Sequence, residues 1–216
     1  MKKRGRFIVV EGLEGAGKST AIKTIKQFIE TSTDNRILLT REPGGTRVGE
    51  VVRHLVKEKI VGEQLDFRSE LLLMYAARVQ LVEQVIRPAL ERGDWVIADR
   101  FELSTYAYQG GGRGIDKDII DQISAICLKG FKPDLLLFLE ISPEQGMKRV
   151  KRRGKIDRFE QEEISFFSRV DQEYHEQIKK MNNVVTIKAS QPLPVVQRTI
   201  SYHLQQFIEH HGIVKY

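Results

Sequence analysis

Apolar residues along the chain fall into five short runs: Phe7–Glu11, Ile37–Thr40, Trp95–Asp99, Leu135–Glu140 and Val184–Ile187. Their length and near-continuous hydrophobicity predict strands buried on both faces, as in a parallel sheet. Between them the period changes to that of a helix. Ala21, Ile22, Ile25, Phe28 and Ile29 recur at helical spacing after the first run, as do Leu71, Leu72, Tyr75, Val79, Leu81, Val82, Val85 and Ile86 ahead of Pro88. Ser142-Pro143-Glu144-Gln145 reads as a capping box with proline at the first helical position, so a helix should start directly after the fourth strand. Strand alternating with helix predicts an α/β fold of three layers, a five-stranded parallel sheet flanked by helices, with ligands gathered at the carboxyl ends of the strands.

The polar residues at those ends carry the chemistry. After the first strand comes Glu11-Gly12-Leu13-Glu14-Gly15-Ala16-Gly17-Lys18-Ser19-Thr20, a G-x-x-x-x-G-K-S loop leading into a helix. Glycines at 12, 15 and 17 let the backbone curl so that successive N–H groups face an anion. Lys18 supplies a charge for the outer phosphates, the Ser19 hydroxyl is placed for Mg²⁺, and the helix dipole points at the same spot. This is the phosphate loop of a P-loop NTPase fold. Asp99 ends the third strand beside Arg100, where an Asp can hold Mg²⁺ through a water; pairing with Arg100 alone, or capping a turn, is the other reading.

An ATP site needs only the loop, the metal ligands and a contact to adenine. Arg41, Arg78 and Arg100, on separate segments, are surplus and point to a second anion, because guanidinium groups bind phosphate bidentately. That is the logic of a nucleoside monophosphate kinase, which aligns two phosphates head to head. Ser104-Thr105-Tyr106-Ala107-Tyr108-Gln109, after the third strand, suits a small polar ligand. The basic run Arg149–Arg158 reads either as a solvated helix end or as a lid whose arginine meets the transferring phosphoryl group.

Composition narrows this little. The 216 residues, 41% hydrophobic and 30% charged, suffice for one sizeable core, so residues 1–216 are read as one domain with a lid around 149–160. The net charge of +6 favours anions without choosing between nucleotide and nucleic acid. A single cysteine, Cys127, excludes an internal disulfide, reads as a small buried hydrophobe, and fits a reducing cytoplasm. Only four apolar residues follow the basic N-terminus and no run of 18 occurs, so neither secretion nor membrane insertion is expected.

From Phe7 to about Phe207 the chain resembles the bacterial thymidylate kinase family. The resemblance rests on the loop above, on Thr40-Arg41-Glu42-Pro43-Gly44-Gly45-Thr46, on Tyr75-Ala76-Ala77-Arg78, on Asp99-Arg100-Phe101 with Ser104, on Ala107-Tyr108-Gln109-Gly110, and on Asp157-Arg158-Phe159-Glu160. It implies phosphorylation of dTMP to dTDP by Mg-ATP in a homodimeric cytosolic enzyme of dTTP synthesis that binds no nucleic acid or membrane. It also implies roles. Gly12 through Thr20 would hold ATP, Glu14 would contact the acceptor's sugar hydroxyl, and Arg100 would grip the acceptor phosphate. Arg78 would meet the thymine edge, Tyr108 would crowd a ribose 2′-OH, and Arg41, Arg53, Ser104, Thr105 and Gln109 would complete the dTMP site. Ser19 and Asp99 would serve the metal. Leu13–Ala16 contain no arginine, so the resemblance is to members that supply it from the lid, with Arg153 first and Arg149 and Arg158 next on the ATP side. Ala189-Ser190-Gln191-Pro192-Leu193 resembles the loop that brackets adenine. Met74 stands where the family usually stacks a phenylalanine on thymine.

On the residues alone, a kinase of another monophosphate stays open, as does a P-loop ATPase or switch that binds a polyanion. Against the latter, no N-K-x-D or L-S-G-G-Q motif occurs and aromatics are sparse in the basic run.

Overall fold

Five parallel strands form one sheet in the order β2-β3-β1-β4-β5. The strands are β1 (Phe7–Glu11), β2 (Ile37–Arg41), β3 (Trp95–Asp99), β4 (Leu135–Glu140) and β5 (Val184–Lys188), so β2 and β5 run one residue beyond the apolar pattern. The computed structural model describes residues 4–59, 61–154 and 157–211. Every residue of β1 is buried, which requires cover on both faces of the sheet. That cover comes from α1 (Lys18–Ser32), α2 (Arg47–Lys57), α3 (Phe67–Leu81), α4 (Arg87–Glu91), α5 (Glu102–Thr105), α6 (Lys117–Leu128), α7 (Pro143–Arg153), α8 (Ile164–Ile178) and α9 (Leu193–His210). β1 lies between β3 and β4, so its carboxyl end is the topological switch point at which such sheets bind ligands.

Two departures from helical regularity shape the site. The helix ahead of Pro88 does not stop there: α3 passes through a π-helical turn, Val82–Ile86, into α4, which carries Pro88 in its first turn. Proline is tolerated in a first turn because its missing N–H has no partner to lose. A second π-helical segment, Tyr106–Gly112, follows α5 and packs against α8. Such insertions re-aim side chains and gather at functional sites.

On α6, Cys127 is less buried than its sequence suggests. Ile120 and Leu128 are buried, whereas Ile119 and Ile126 are 49% and 74% exposed, and Cys127 is only partly buried. The apolar stripe of α6 is wider than the core it meets. Below it, Ile120 packs with Leu71 and Tyr75 of α3, while Met74 and Ala77 on the neighbouring face pack with Val52 and Val56 of α2. The helix α3 is thereby held from two sides, and its third face turns to the site.

Candidate active site

The loop from Gly12 to Gly17 leaves β1 and enters α1 through Gly17, whose φ of 92° is the left-handed conformation glycine tolerates. Lys18 Nζ donates to the carbonyls of Gly12 and Leu13, at 3.0 and 2.9 Å, closing the loop on itself. Burial and then the charge of Arg100 bring its ammonium down to about 8. The loop is backed by the first turn of α7, capped by Ser142, whose hydroxyl accepts from Gln145 N–H as the capping box predicts. Contact there is backbone to backbone. A Cβ on Gly15 would stand 2.2 Å from the Gly146 carbonyl oxygen, and one on Gly146 would stand 2.5 Å from that of Glu14.

Beyond β3, Arg100 adopts a φ of 71°, rare for any residue with a side chain. Its guanidinium donates to Glu14 at 2.7 Å, to Ser104 Oγ and Tyr174 OH at 3.0 Å, and to Tyr108 OH at 3.2 Å. Tyr108 OH also donates to Glu14. Burial works to raise the Glu14 carboxyl, but Arg100, Lys18 and Tyr108 outweigh it and hold it below the ordinary range. Glu11 accounts for the posture of this segment. Fully buried, it accepts from the N–H groups of Phe101 and Ser104 and from the hydroxyls of Ser104 and Tyr174, pinning the exit of β3 to β1. Neither Glu11 nor Tyr174 stood out as a site residue in the sequence. Glu11 reads as the polar end of a strand.

Glu14, Gly15, Gly17, Lys18, Ser19, Thr20, Arg41, Arg53, Met74, Asp99, Arg100, Ser104, Tyr108, Gln109, Arg149 and Arg153 all line one cavity of about 450 Å³. Arg53 Nη1 donates to the Pro43 carbonyl, and Arg41 to Glu50. Lys57, paired with Asp157, lines the same cavity, and nothing in its local sequence marks it out. Arg78 and Thr105 lie behind the wall. Arg78 is fully buried, donating to Glu42 at 2.7 Å and to Thr105 Oγ1 at 2.9 Å. Burial pushes the Glu42 carboxyl up to about 7 against the pull of Arg78.

Arg149 stretches from the phosphate loop to the other nucleotide element, donating to the carbonyls of Gly15 and Ala189 at 3.2 and 3.1 Å. An adjoining cavity of about 230 Å³ is bounded by Ala16, Thr20, Ala189, Gln191 and Leu193, where the resemblance expects adenine. Arg153 is held by Glu160 at the cavity mouth. Arg158, expected in the ATP set, is placed elsewhere. It turns to the opposite side, donating to the Val56 carbonyl and to Glu70, and does not line either nucleotide cavity. Lys155 and Ile156, within the expected lid, lie outside the described residues.

A phosphate loop at the switch point and a guanidinium cluster facing it across one cavity define a P-loop phosphotransferase with a second anion site. The thymidylate kinase family model matches residues 10–200. Two curated proteins named thymidylate kinase, from Legionella pneumophila strains Corby and Paris, are 55% and 54% identical over 206 residues, 95% of this chain and 97% of each of theirs. The chain belongs to the thymidylate kinase family and is a phosphotransferase.

Proposed function

We propose that the chain transfers the γ-phosphoryl group of Mg-ATP to dTMP, giving ADP and dTDP. One observation carries the reading of the acceptor: around Met74, a buried donor just behind the cavity wall and a buried acceptor in its lining lack partners. They are Nη1 of Arg78 and Oε1 of Gln109; Oε1 of Glu42, whose other oxygen takes the Arg78 hydrogen bond, is a second such acceptor. A thymine offers O4 as acceptor and N3–H as donor on one edge, which complements that pair, whereas cytosine presents the reverse. Between them Met74 lines the cavity and offers a thioether to the face of the ring.

The acceptor phosphate is placed by Arg100, assisted by Arg41 and Arg53. Glu14 faces the sugar, and Tyr108, on the same hydrogen-bond cluster, fills the space a 2′-hydroxyl needs. Lys18 and the N–H groups of the loop hold the ATP phosphates, and Arg149 bridges loop and adenine cavity. Ser19 and Asp99 supply oxygen donors, which fit Mg²⁺, a hard cation taking one or two protein oxygens beside substrate phosphates. Bound there, Mg²⁺ would neutralise charge on the β and γ oxygens. Lys18 and Arg153 stabilise charge that develops in in-line transfer, and no nucleophilic side chain is required.

A homodimer is supported by exposed apolar residues on three adjacent helices: Val48, Val51 and Leu55 on α2, Leu72 on α3, Ile119 and Ile126 on α6. Exposed apolar residues gathered on neighbouring helices support an interface there. We place the enzyme in the cytoplasm on its lone cysteine, and read residues 1–216 as one domain with the lid at 149–160. No helix among the described residues is long and apolar enough to cross a membrane. The test is ADP release from Mg-ATP with dTMP, dUMP, TMP, dGMP, dCMP or AMP and with no acceptor. Strong preference for dTMP is expected; turnover independent of every monophosphate would leave only an ATPase.

A further inference from the structure

Glu70, Met74 and Arg78 are spaced four apart on α3 and so lie on one face of it. Thr105 and Gln109, four apart across the join between α5 and the π-helical segment, meet that face in reverse order. Arg78 donates to Thr105 Oγ1, and Gln109 Nε2 donates to Glu70 Oε1 at 2.7 Å. Met74 sits between the two polar pairs. Glu70 is fully buried and is itself held from three directions: by Gln109, by Arg113 at 3.4 Å, and by Arg158 on its other oxygen. Arg113 is anchored in turn by Glu162 at 2.6 Å, and Arg158 by the Val56 carbonyl at 2.7 Å.

We propose that Glu70 is a positioning residue for base recognition: it fixes which way the Gln109 carboxamide points and so gives the cavity an acceptor. This rests on the reading of the cavity as a dTMP site. The argument is one of donor and acceptor inventory. A carboxylate only accepts, so the amide must turn its NH₂ toward Glu70 and its oxygen away. That oxygen is the buried, unpartnered Oε1 of a fully buried residue that lines the cavity. Were the amide reversed, Gln109 Nε2 would face the cavity beside the Arg78 donor behind its wall, and the two would favour a base with acceptors at both positions. Glu70 therefore writes one half of the hydrogen-bond code without touching the base. The two arginines keep it from rotating, which gives Arg158 a purpose in the structure distinct from ATP binding.

The test compares dTMP, dUMP and dCMP as acceptors for the unsubstituted enzyme, Glu70→Gln and Glu70→Asp, with ATP affinity and Tm measured in parallel. Glutamine at 70 has an NH₂ to offer and permits the Gln109 amide to flip. The kcat/KM ratio of dTMP to dCMP should then fall about 10- to 100-fold while ATP affinity stays put. Aspartate, which only accepts, should keep the original order of bases although dTMP binds less tightly. A folded Glu70→Gln enzyme with the original ratio overturns the proposal and leaves the dTMP reading standing; an unsubstituted enzyme indifferent to the base overturns both. If Glu70→Gln does not fold, side-chain amide exchange in the ¹⁵N-glutamine-labelled unsubstituted protein decides. Slow exchange of the Gln109 NH₂ before dTMP is added supports the proposal, and rapid exchange overturns it.

Discussion

Glu14 of the phosphate loop and Arg100 beyond β3 meet at 2.7 Å across the cavity. The pair joins the two proposed anion sites: the loop assigned to the donor phosphates carries the carboxylate that orients the guanidinium assigned to the acceptor. Burial works against the charge on Arg100, but the hydroxyls and carboxylates around it keep it firmly cationic. A dianionic phosphate entering the site meets a cation already aimed, whose positive φ is the strained backbone that such aim requires.

Lys18 should control ATP binding through its protonation. Its ammonium titrates at about 8 in the free protein and is stabilised by phosphate, so ATP affinity should hold below that pH and fall as pH rises through it, by up to about tenfold per unit. Titrating ATP against the enzyme across the range tests this, and Lys18→Arg, charged throughout, should flatten the profile. Lys18→Ala should lower kcat on the order of 10³. A normal kcat would remove Lys18 from the chemistry.

Arg153→Ala should reduce kcat on the order of 10³ while changing KM for dTMP little, because a guanidinium that meets only the transferring phosphoryl group acts in the transition state. Arg152→Ala serves as the comparison, since Arg152 neither lines the cavity nor matches a lid position of the family. A larger loss with Arg152 would shift the register of the lid by one residue.

Met74→Phe should tighten dTMP about 2- to 10-fold, the value of adding an aromatic stack to a ring now met by a thioether. Isothermal titration with dTMP measures it directly. Unchanged affinity would place the base elsewhere than over Met74.

Ile126→Asp should convert the proposed dimer to monomer at micromolar protein without lowering Tm, because the side chain is 74% exposed in the isolated chain. Sedimentation velocity distinguishes the two states. A variant that sediments as the unsubstituted protein does would move the interface off α6.

The sheet was legible because buried parallel strands are uninterrupted apolar runs, and the phosphate loop because its glycines and lysine stand at fixed spacing. The ends of β2 and β5 were not, since Arg41 and Lys188 contribute hydrogen bonds to the ladder and no apolar signal. Arg158 illustrates a different limit. Its position in a basic run identified it as a cation near the lid, but which anion it meets depends on Glu70, 88 residues away. The exposed residues of α6 have the same periodicity as buried ones, so the pattern alone does not separate them.

Gly15 and Gly146 touch through bare backbone, so the helix bearing Arg149 and Arg153 has no side-chain cushion between itself and the loop. A joint of this kind acts as a bearing, transmitting displacement while resisting compression. On the proposed reading, a shift of the loop on binding phosphate would be passed through this contact to the helix that carries both guanidiniums. A single added methyl group at either glycine would act as a shim, uncoupling the grip on the donor from the delivery of charge to it.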